Sequence, residues 1–140
     1  MSKLEFKAQL DKYTDLLVEI KIEERRAAAL PAATDNESIT QRRARAGVHD
    51  TLNNLLDKEE KEYEALVKII NELPQVEQRQ VLLARYMDGQ CWPVIAATIF
   101  GQHEDFDQKK QSYLRRTYRI HGTALVNANK IFFQKREHQI

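Results

Sequence analysis

The sequence has few of the residues that interrupt helices, because its 140 residues include only four glycines and three prolines. It also lacks any segment in which apolar and polar residues alternate over the length of a strand between turn-forming residues. The first shortage favours long helices, and the second predicts little or no β-structure. We therefore expect an all-α fold.

Cysteine is scarce as well, and the single Cys91 excludes an internal disulfide and fits a reducing compartment. Residues 1–5 are charged and amphipathic, unlike the start of a signal peptide, and no apolar run approaches the ~20 residues of a membrane helix. We expect a cytoplasmic protein with no membrane partner. Because Cys91 adjoins Trp92, we also expect its thiol to be buried.

Motifs for catalysis or ligand binding are lacking too. The four histidines do not have metal-ligand spacing, and the four glycines are isolated rather than gathered in a phosphate-binding loop. No histidine is patterned with Cys91, and acidic pairs such as Glu59-Glu60 fall on predicted helices without a pocket. These features predict a protein that is not an enzyme and that needs no metal or cofactor.

Positive charge is concentrated in the second half of the chain, although the net charge is only +1. Residues 1–73 contain 12 basic and 15 acidic residues, a balance of −3, whereas residues 74–140 contain 10 and 6, a balance of +4. Concentrated positive charge on a nearly neutral protein is typical of a surface that binds a polyanion. The distribution therefore predicts a polyanionic partner for the C-terminal half.

Two long helices are predicted in the N-terminal half. Apolar residues recur at alternating spacings of four and three from Phe6 to Ile20, which predicts a helix over about residues 2–30 that ends before Pro31. Ser38-Ile39-Thr40-Gln41 has the capping-box form and predicts a second helix, which should end at Leu73 because Pro74 follows. We expect a coiled-coil-like helical hairpin over residues 1–72 that serves dimerisation or partner binding.

Three arginines, Arg42, Arg43 and Arg45, lie near the start of the second helix, where the helix dipole disfavours cations. One interpretation is a second cluster of phosphate contacts. The other is that these side chains are simply exposed, and the pattern leaves both open.

The C-terminal half, residues 73–140, begins with two short amphipathic helices. Pro74 suits the first turn of the first helix. The residues expected to form its buried side are Val76, Val81, Leu82 and, one turn on, Arg85-Tyr86. Asp88-Gly89 predicts a turn in which Gly89 takes a positive φ, and Trp92-Pro93 starts a second helix that Gly101 ends. The inner face of that second helix is expected to hold Ile95, Ala96 and Ile99.

This order of residues resembles the helix-turn-helix in region four of bacterial sigma factors. It is more closely similar to the small phage regulators that use this unit, namely the late-transcription activators and their relatives in the RinA and ArpU families. The matching positions are Leu73-Pro74, Arg79, Val81-Leu82, Arg85-Tyr86, Asp88-Gly89, Trp92, Ile95-Ala96 and Gly101. The similarity continues in Arg119-Ile120-His121 and Ala124-Leu125, so it covers about residues 73–125.

The resemblance implies a sequence-specific transcriptional regulator that binds double-stranded DNA through a long recognition helix. It further implies an activator of late phage genes in the cytoplasm of a host bacterium, with host RNA polymerase as a candidate partner. Sigma-like domains enter the recognition helix within a few residues of the glycine, whereas Gln102–Asp107 intervenes here. Consequently, either Arg115-Arg116 or Arg119-Ile120-His121 can be aligned with the family, but not both without an insertion.

Helical spacing predicts which side of the recognition helix contacts DNA. An inward stripe at alternating spacings of four and three comprises Leu114, Tyr118, His121, Leu125, Ala128 and Phe132. The predicted DNA contacts on the other sides are Lys109, Lys110, Ser112, Tyr113, Arg115, Arg116 and Arg119. Tyr113 suits either DNA contact or packing, His121 suits the core, and Asp105 or Asp107 is expected to cap the helix start.

Three alternatives accompany this hypothesis. The basic residues could form an ordinary solvated helix face. A small terminase subunit, which binds packaging DNA as a ring, also joins a helix-turn-helix to long helices. A sigma-like adaptor would contact RNA polymerase without DNA. For the regulator itself, we expect a homodimer, and we expect Phe132 and Phe133 to pack on the N-terminal helices, on a second copy or on a partner.

Overall fold

The structure, a computed structural model, describes residues 5–138, and in this range the chain forms five α-helices and one π-helical turn. The helices are α1 (Glu5–Ala29), α2 (Ile39–Asn71), α3 (Val76–Leu82), α4 (Trp92–Phe100) and α5 (Lys110–His138), and the π-helical turn (Leu83–Met87) extends α3. No strand occurs among these residues, which confirms the all-α prediction. The predicted start of the first helix at residue 2 lies outside the described residues.

Helices α1 and α2 pack along each other because each carries an apolar stripe. On α1 the buried apolar residues are Phe6, Leu10, Tyr13, Leu16 and Ile20. On α2 they are Val48, Leu66, Ile69 and Ile70. The Tyr13 hydroxyl donates a 2.8 Å hydrogen bond to Glu59, which links the helices near their middle.

The capping box predicted at the start of α2 is confirmed. The Ser38 hydroxyl accepts a hydrogen bond from the Gln41 backbone N–H at 3.1 Å, and the Gln41 side chain accepts one from the Ser38 N–H at 2.9 Å. Two backbone donors that have no partner inside the helix are thereby satisfied.

One hydrophobic core connects the N-terminal and C-terminal helices. It comprises Phe6, Leu10, Tyr13, Leu66, Ile69, Ile70, Leu73, Leu82, Tyr86, Ala124, Leu125 and Ala128. Fully burying one apolar side chain of Leu or Phe size contributes roughly 1.5–3 kcal/mol, so a core of this size ties the elements together. The predicted boundary near residue 72 falls within this core, and the division into residues 1–72 and 73–140 stays a prediction.

The start of α3 differs from the prediction. The helix begins at Val76 after the N-cap residue Gln75, so Pro74 precedes the first turn instead of occupying it. Val76 is 59% exposed, and its predicted burial is wrong because the first turn of α3 points its side chain to solvent. Val81 and Leu82 are fully buried, as expected.

The turn between α3 and α4 follows the prediction at Gly89, which has a φ of +67°. Before it, the Asp88 N–H donates to the Leu83 carbonyl at 2.9 Å, the five-residue spacing of a π-helix. Tyr86 lies in this widened turn and is buried.

Two of the three residues predicted for the inner face of α4, Ile95 and Ala96, are buried, whereas Ile99 is partly exposed. The predicted end of α4 at Gly101 is confirmed. Glycine is needed there because a side chain would not fit, and not because the backbone is left-handed. Gly101 has a φ of −61°, and a Cβ there would lie 2.3 Å from the Ala97 carbonyl oxygen. The predicted burial of Cys91 is wrong: Cys91 is the exposed N-cap residue, outside the first turn that Trp92 opens.

Helix α5 begins at Lys110, later than the start near Asp105 that the sequence suggested. Short backbone hydrogen-bonded turns occupy residues 101–109, among them His103 N–H to the Phe100 carbonyl and Lys109 N–H to the Asp105 carbonyl, both 3.0 Å. Leu125 and Ala128 are buried as predicted, whereas Tyr118 is 45% exposed. Thr117 and Ala124 are fully buried, so the inward side lies about one residue N-terminal to the predicted stripe.

Candidate nucleic-acid interface

The first turns of α5 present positive charge to solvent. The exposed residues there are Lys109, Lys110, Ser112, Arg115, Arg116 and Arg119, which we call the basic face. A helix turns about 100° per residue, so Ser112, Arg115 and Arg119 lie opposite the buried Thr117. Six of the seven predicted contact residues are thus exposed; Ser112, Arg115 and Arg119 share the outward side of α5 with Arg116 at its edge, whereas Lys109 and Lys110 stand at the N-terminal end of the helix.

Tyr113, the seventh, lies in an aromatic cluster beneath the basic face. Its ring is half-buried, with centroid distances of 5.2 Å to Phe100, 5.4 Å to His103 and 5.6 Å to Phe106. Its hydroxyl donates a 2.6 Å hydrogen bond to Asp105. Of the two roles left open by the sequence, the structure gives Tyr113 the packing role, which fixes residues 101–109 against α5.

Asp105 does not cap α5 with its side chain, so that prediction is wrong. Its carboxylate accepts the Tyr113 hydroxyl and lies 3.4 Å from the Lys109 ammonium. The Tyr113 hydrogen bond, followed by Lys109, holds the pKa of Asp105 below its usual value, and the same bond raises the pKa of Tyr113. Asp107 likewise lies 3.8 Å from the Lys110 ammonium rather than at a backbone N–H.

The cations of the basic face have different surroundings. Lys109 and Lys110 are paired with the aspartates just described, although exposed pairs of this kind are weak. The Arg116 guanidinium lies over the Phe100 ring, 4.9 Å from its centroid, which orients the group and leaves its charge intact. Arg115 and Arg119 form no ion pair with any residue in the range 5–137, so their guanidinium groups are available to a ligand.

A second aromatic cluster holds α4, the π-helical turn and α5 together. The Trp92 ring lies 4.7 Å from the His121 ring and 5.0 Å from the Tyr118 ring, between centroids. The Arg85 guanidinium lies over the same ring, 4.7 Å from the Trp92 centroid. The Tyr86 hydroxyl and His121 Nε2 are hydrogen-bonded at 2.8 Å. Half-buried His121 therefore has the core role expected of it, and the basic face stands on a rigid support.

Sequence reasoning missed both clusters as units. The contacts of Arg85 with Trp92 and of Phe106 with Tyr113 each join residues seven positions apart that lie on different elements, so they do not follow from the periodicity of one continuous helix. The density of aromatic residues between Trp92 and Tyr118 was the only available signal, and it carries no pairing information.

The arginines at the start of α2 are arranged differently from those of α5. The Arg45 guanidinium forms two hydrogen bonds with the Glu37 carboxylate, and Arg42 Nε lies 3.8 Å from the same group. These bonds, chiefly the one from Arg45, lower the pKa of Glu37. Two of the three arginines thus pair with Glu37 at the end of the connection between α1 and α2, an arrangement that neither interpretation of the sequence included.

The end of α5 returns to the N-terminal helices. The Phe132 ring packs against Phe6 with centroids 5.7 Å apart, and Arg136 pairs with Glu5. The Lys135 ammonium lies 2.7 Å from the Glu72 carboxylate. For Phe132, the expected packing on the N-terminal helices is therefore confirmed.

Away from the basic face, the described residues form one open groove of notable size and no metal-binding cluster. An open groove of about 860 Å³ lies between α2 and the last turns of α5, and none of the predicted DNA-contact residues lines it. Within residues 5–138, no group of three or more histidine, cysteine or acidic side chains is placed to hold a metal ion. In the same range, every helix is too short or too polar to cross a membrane.

No protein-family model, no curated protein and no solved structure matches this chain.

Proposed function

We propose that this protein is a sequence-specific transcriptional regulator that binds double-stranded DNA by placing the N-terminal half of α5 in the major groove. In this proposal α4 and α5 form a helix-turn-helix of the sigma region-four kind, and α1 and α2 form a hairpin that carries it. The single observation that supports it best is the pair of exposed guanidinium groups of Arg115 and Arg119 on one side of α5, which form no ion pair within residues 5–137.

The spacing of these side chains suits a groove. Ser112, Arg115 and Arg119 follow one another at intervals of three and four residues, so they span roughly 10 Å along the helix axis. Arginine pairs with the O6 and N7 atoms of guanine through two hydrogen bonds, and this is the commonest specific contact in the major groove. Arg115 and Arg119 are therefore assigned to base edges.

The remaining cations suit the DNA backbone. Lys109 and Lys110 stand at the N-terminal end of α5, where their weak pairs with Asp105 and Asp107 can be exchanged for phosphates. Arg116 is oriented by Phe100 and lies beside the row formed by Ser112, Arg115 and Arg119. It is assigned to a phosphate as well. Phosphate contacts position a protein on the duplex, whereas base contacts select the sequence.

The long connection between α4 and α5 is compatible with this role. Residues 101–109 are fastened by the Tyr113–Asp105 hydrogen bond and by the packing of Phe106 on Tyr113. The additional length relative to sigma domains therefore forms part of a packed unit. Activation of late phage genes and contact with host RNA polymerase belong to the proposal through the resemblance in residues 73–125.

The test removes the two assigned base contacts and keeps the fold. We expect Arg115→Ala with Arg119→Ala to weaken binding by about 100-fold, since each bidentate arginine–guanine pair contributes ~1–3 kcal/mol of discrimination. Binding is measured by fluorescence anisotropy on a duplex selected from a random-sequence library by the wild-type protein, at two salt concentrations because phosphate contacts make affinity salt-dependent.

The matched control is Arg43→Ala with Lys58→Ala, two exposed cations on α2, which should bind DNA like the wild type. The circular dichroism of both variants should stay helical. Binding by the α5 variant that equals that of the wild type would remove the basis of the proposed function.

A further inference from the structure

Helix α1 carries a second heptad-like stripe on the side that faces away from α2. Its members recur at alternating spacings of three and four: Ala8, Asp11, Asp15, Val18, Ile22, Arg25 and Ala29. We call this set the outer stripe. It lies roughly opposite the buried stripe on a helix of 3.6 residues per turn. Val18 is 57% exposed and Ile22 is 50% exposed, so two branched apolar side chains stand one turn apart in solvent.

The charges of the outer stripe are separated by sign around this apolar pair. Asp11 and Asp15 precede it and Arg25 follows it. Asp11 lies four residues from Asp15, and Lys21 lies four residues from Arg25, spacings at which like charges destabilise an isolated helix. The helix dipole acts within the first and last turns, so it does not account for Asp15 in the second quarter of α1.

Asp15 and Arg25 also lack ion-pair partners among the described residues. Asp11 is held by Lys7 at 2.8 Å, and Arg26 is held by Glu23 at 2.8 Å. By contrast, neither Asp15 nor Arg25 forms an ion pair with any residue in the range 5–137, and both are exposed. An acidic group, an apolar pair and a basic group thus stand in line on one helix face.

We propose that a second copy of this chain docks on the outer stripe, with the two α1 helices antiparallel about a two-fold axis between Val18 and Ile22. Because the stripe is symmetric about residue 20 in sequence, Val18 then packs against Ile22 of the partner subunit. Asp15 pairs with Arg25 of the partner subunit, and Ala29 of the partner subunit lies beside Asp11. Each contact occurs twice, as a two-fold interface requires.

A second copy fits this face because the face is complementary to itself. Reversing the direction of α1 exchanges its acidic and basic ends and leaves the apolar pair in place. Residues of the outer stripe alternate as the a and d positions of a heptad, and antiparallel pairing sets each a residue against a d residue. The apolar area is small, so we expect a dimer that dissociates at low protein concentration.

The experiment uses charge reversal in the full chain, without DNA, so that its outcome does not depend on the proposed function. Sedimentation equilibrium of the wild type should show a mass that rises with concentration from 16.4 kDa to twice that value. Asp15→Arg alone and Arg25→Glu alone should each weaken self-association by about tenfold or more, since two ion pairs become two repulsions. An equimolar mixture of the two variants should form a heterodimer about as strong as the wild-type dimer.

Matched reversals on α2, Asp57→Arg and Arg43→Glu, should leave self-association unchanged, because both residues are exposed and outside the outer stripe. Four results would each overturn the proposal. These are a wild type that stays monomeric, single variants that associate normally, a mixture that fails to associate, and an assembly larger than two copies.

Discussion

Tyr86 and His121 are 35 residues apart in sequence and form a stacked, hydrogen-bonded pair behind the basic face. Burial raises the pKa of Tyr86 to about 12. Burial, followed by the nearby cations Lys7 and Arg85, holds the pKa of His121 below its ordinary value. The His121 side chain is therefore neutral in the folded protein at pH 7, which makes the stability of the fold depend on pH.

The unfolded chain binds a proton at His121 with the ordinary pKa of 6.5, whereas the folded chain binds it only at lower pH. The stability contributed by neutral His121 is thus complete above pH 6.5 and is lost as the pH falls from 6.5 toward the folded pKa. We expect the wild type to lose more free energy of unfolding between pH 7.5 and pH 5 than His121→Gln does.

Urea denaturation of both proteins at each pH measures this difference, and groups common to both cancel. Glutamine retains a hydrogen-bonding group for Tyr86 but does not titrate, which makes it the appropriate replacement. An equal loss of stability in both proteins would show that His121 does not bind its proton differently in the folded state.

At the scale of elements, the junction of α4 with residues 101–109 depends on the missing side chain of Gly101. A Cβ there would lie 2.3 Å from the Ala97 carbonyl oxygen, which accepts a 2.8 Å hydrogen bond from the Gly101 N–H. Gly122, inside α5, has nothing within 4 Å of the corresponding position. The two glycines therefore make a matched pair with opposite expected effects.

We expect Gly101→Ala to destabilise the protein by ~1–3 kcal/mol, because the backbone must move to relieve the contact. Gly122→Ala should instead stabilise it by ~0.5–1 kcal/mol, since alanine has the higher helix propensity. Chemical denaturation of the two variants checks the signs. Two changes of the same sign would contradict this account of the junction.

The whole molecule is organised around one core that joins α1 and α2 to the C-terminal helices. Leu10 in α1 is fully buried in this core, together with Leu82, Tyr86 and Ala124 from the second half of the chain. The chain contains a single tryptophan, Trp92, and it lies at the start of α4. Its fluorescence thus monitors the C-terminal half specifically.

We expect Leu10→Ala to lower the free energy of unfolding by ~2–5 kcal/mol, the usual range for a leucine truncated in a core. Because the core is shared, the transition followed by Trp92 fluorescence should shift together with the loss of helical circular dichroism. A tryptophan transition that stays at the wild-type midpoint would show that the two halves unfold independently.

The sequence by itself determined the features that depend on neighbouring residues. The all-α fold was predicted from the shortage of glycine and proline. The capping box at Ser38 and the positive φ of Gly89 follow from local hydrogen bonding and backbone sterics, which tertiary contacts did not override. The exposure of Arg115 and Arg119 follows in the same way from helical periodicity, once the buried side of α5 is fixed at Leu125 and Ala128.

Only the tertiary structure decided the features that depend on distant partners. The later start of α5 and the packing role of Tyr113 follow from the aromatic cluster with Phe100 and Phe106, which the loop brings together. The exposure of Cys91 depends on how α4 is docked. The positions of Asp105, Asp107 and Phe100 likewise decided which cations of the basic face remain available to a ligand. An ion pair or a ring contact depends on distance in space, which sequence spacing does not reveal.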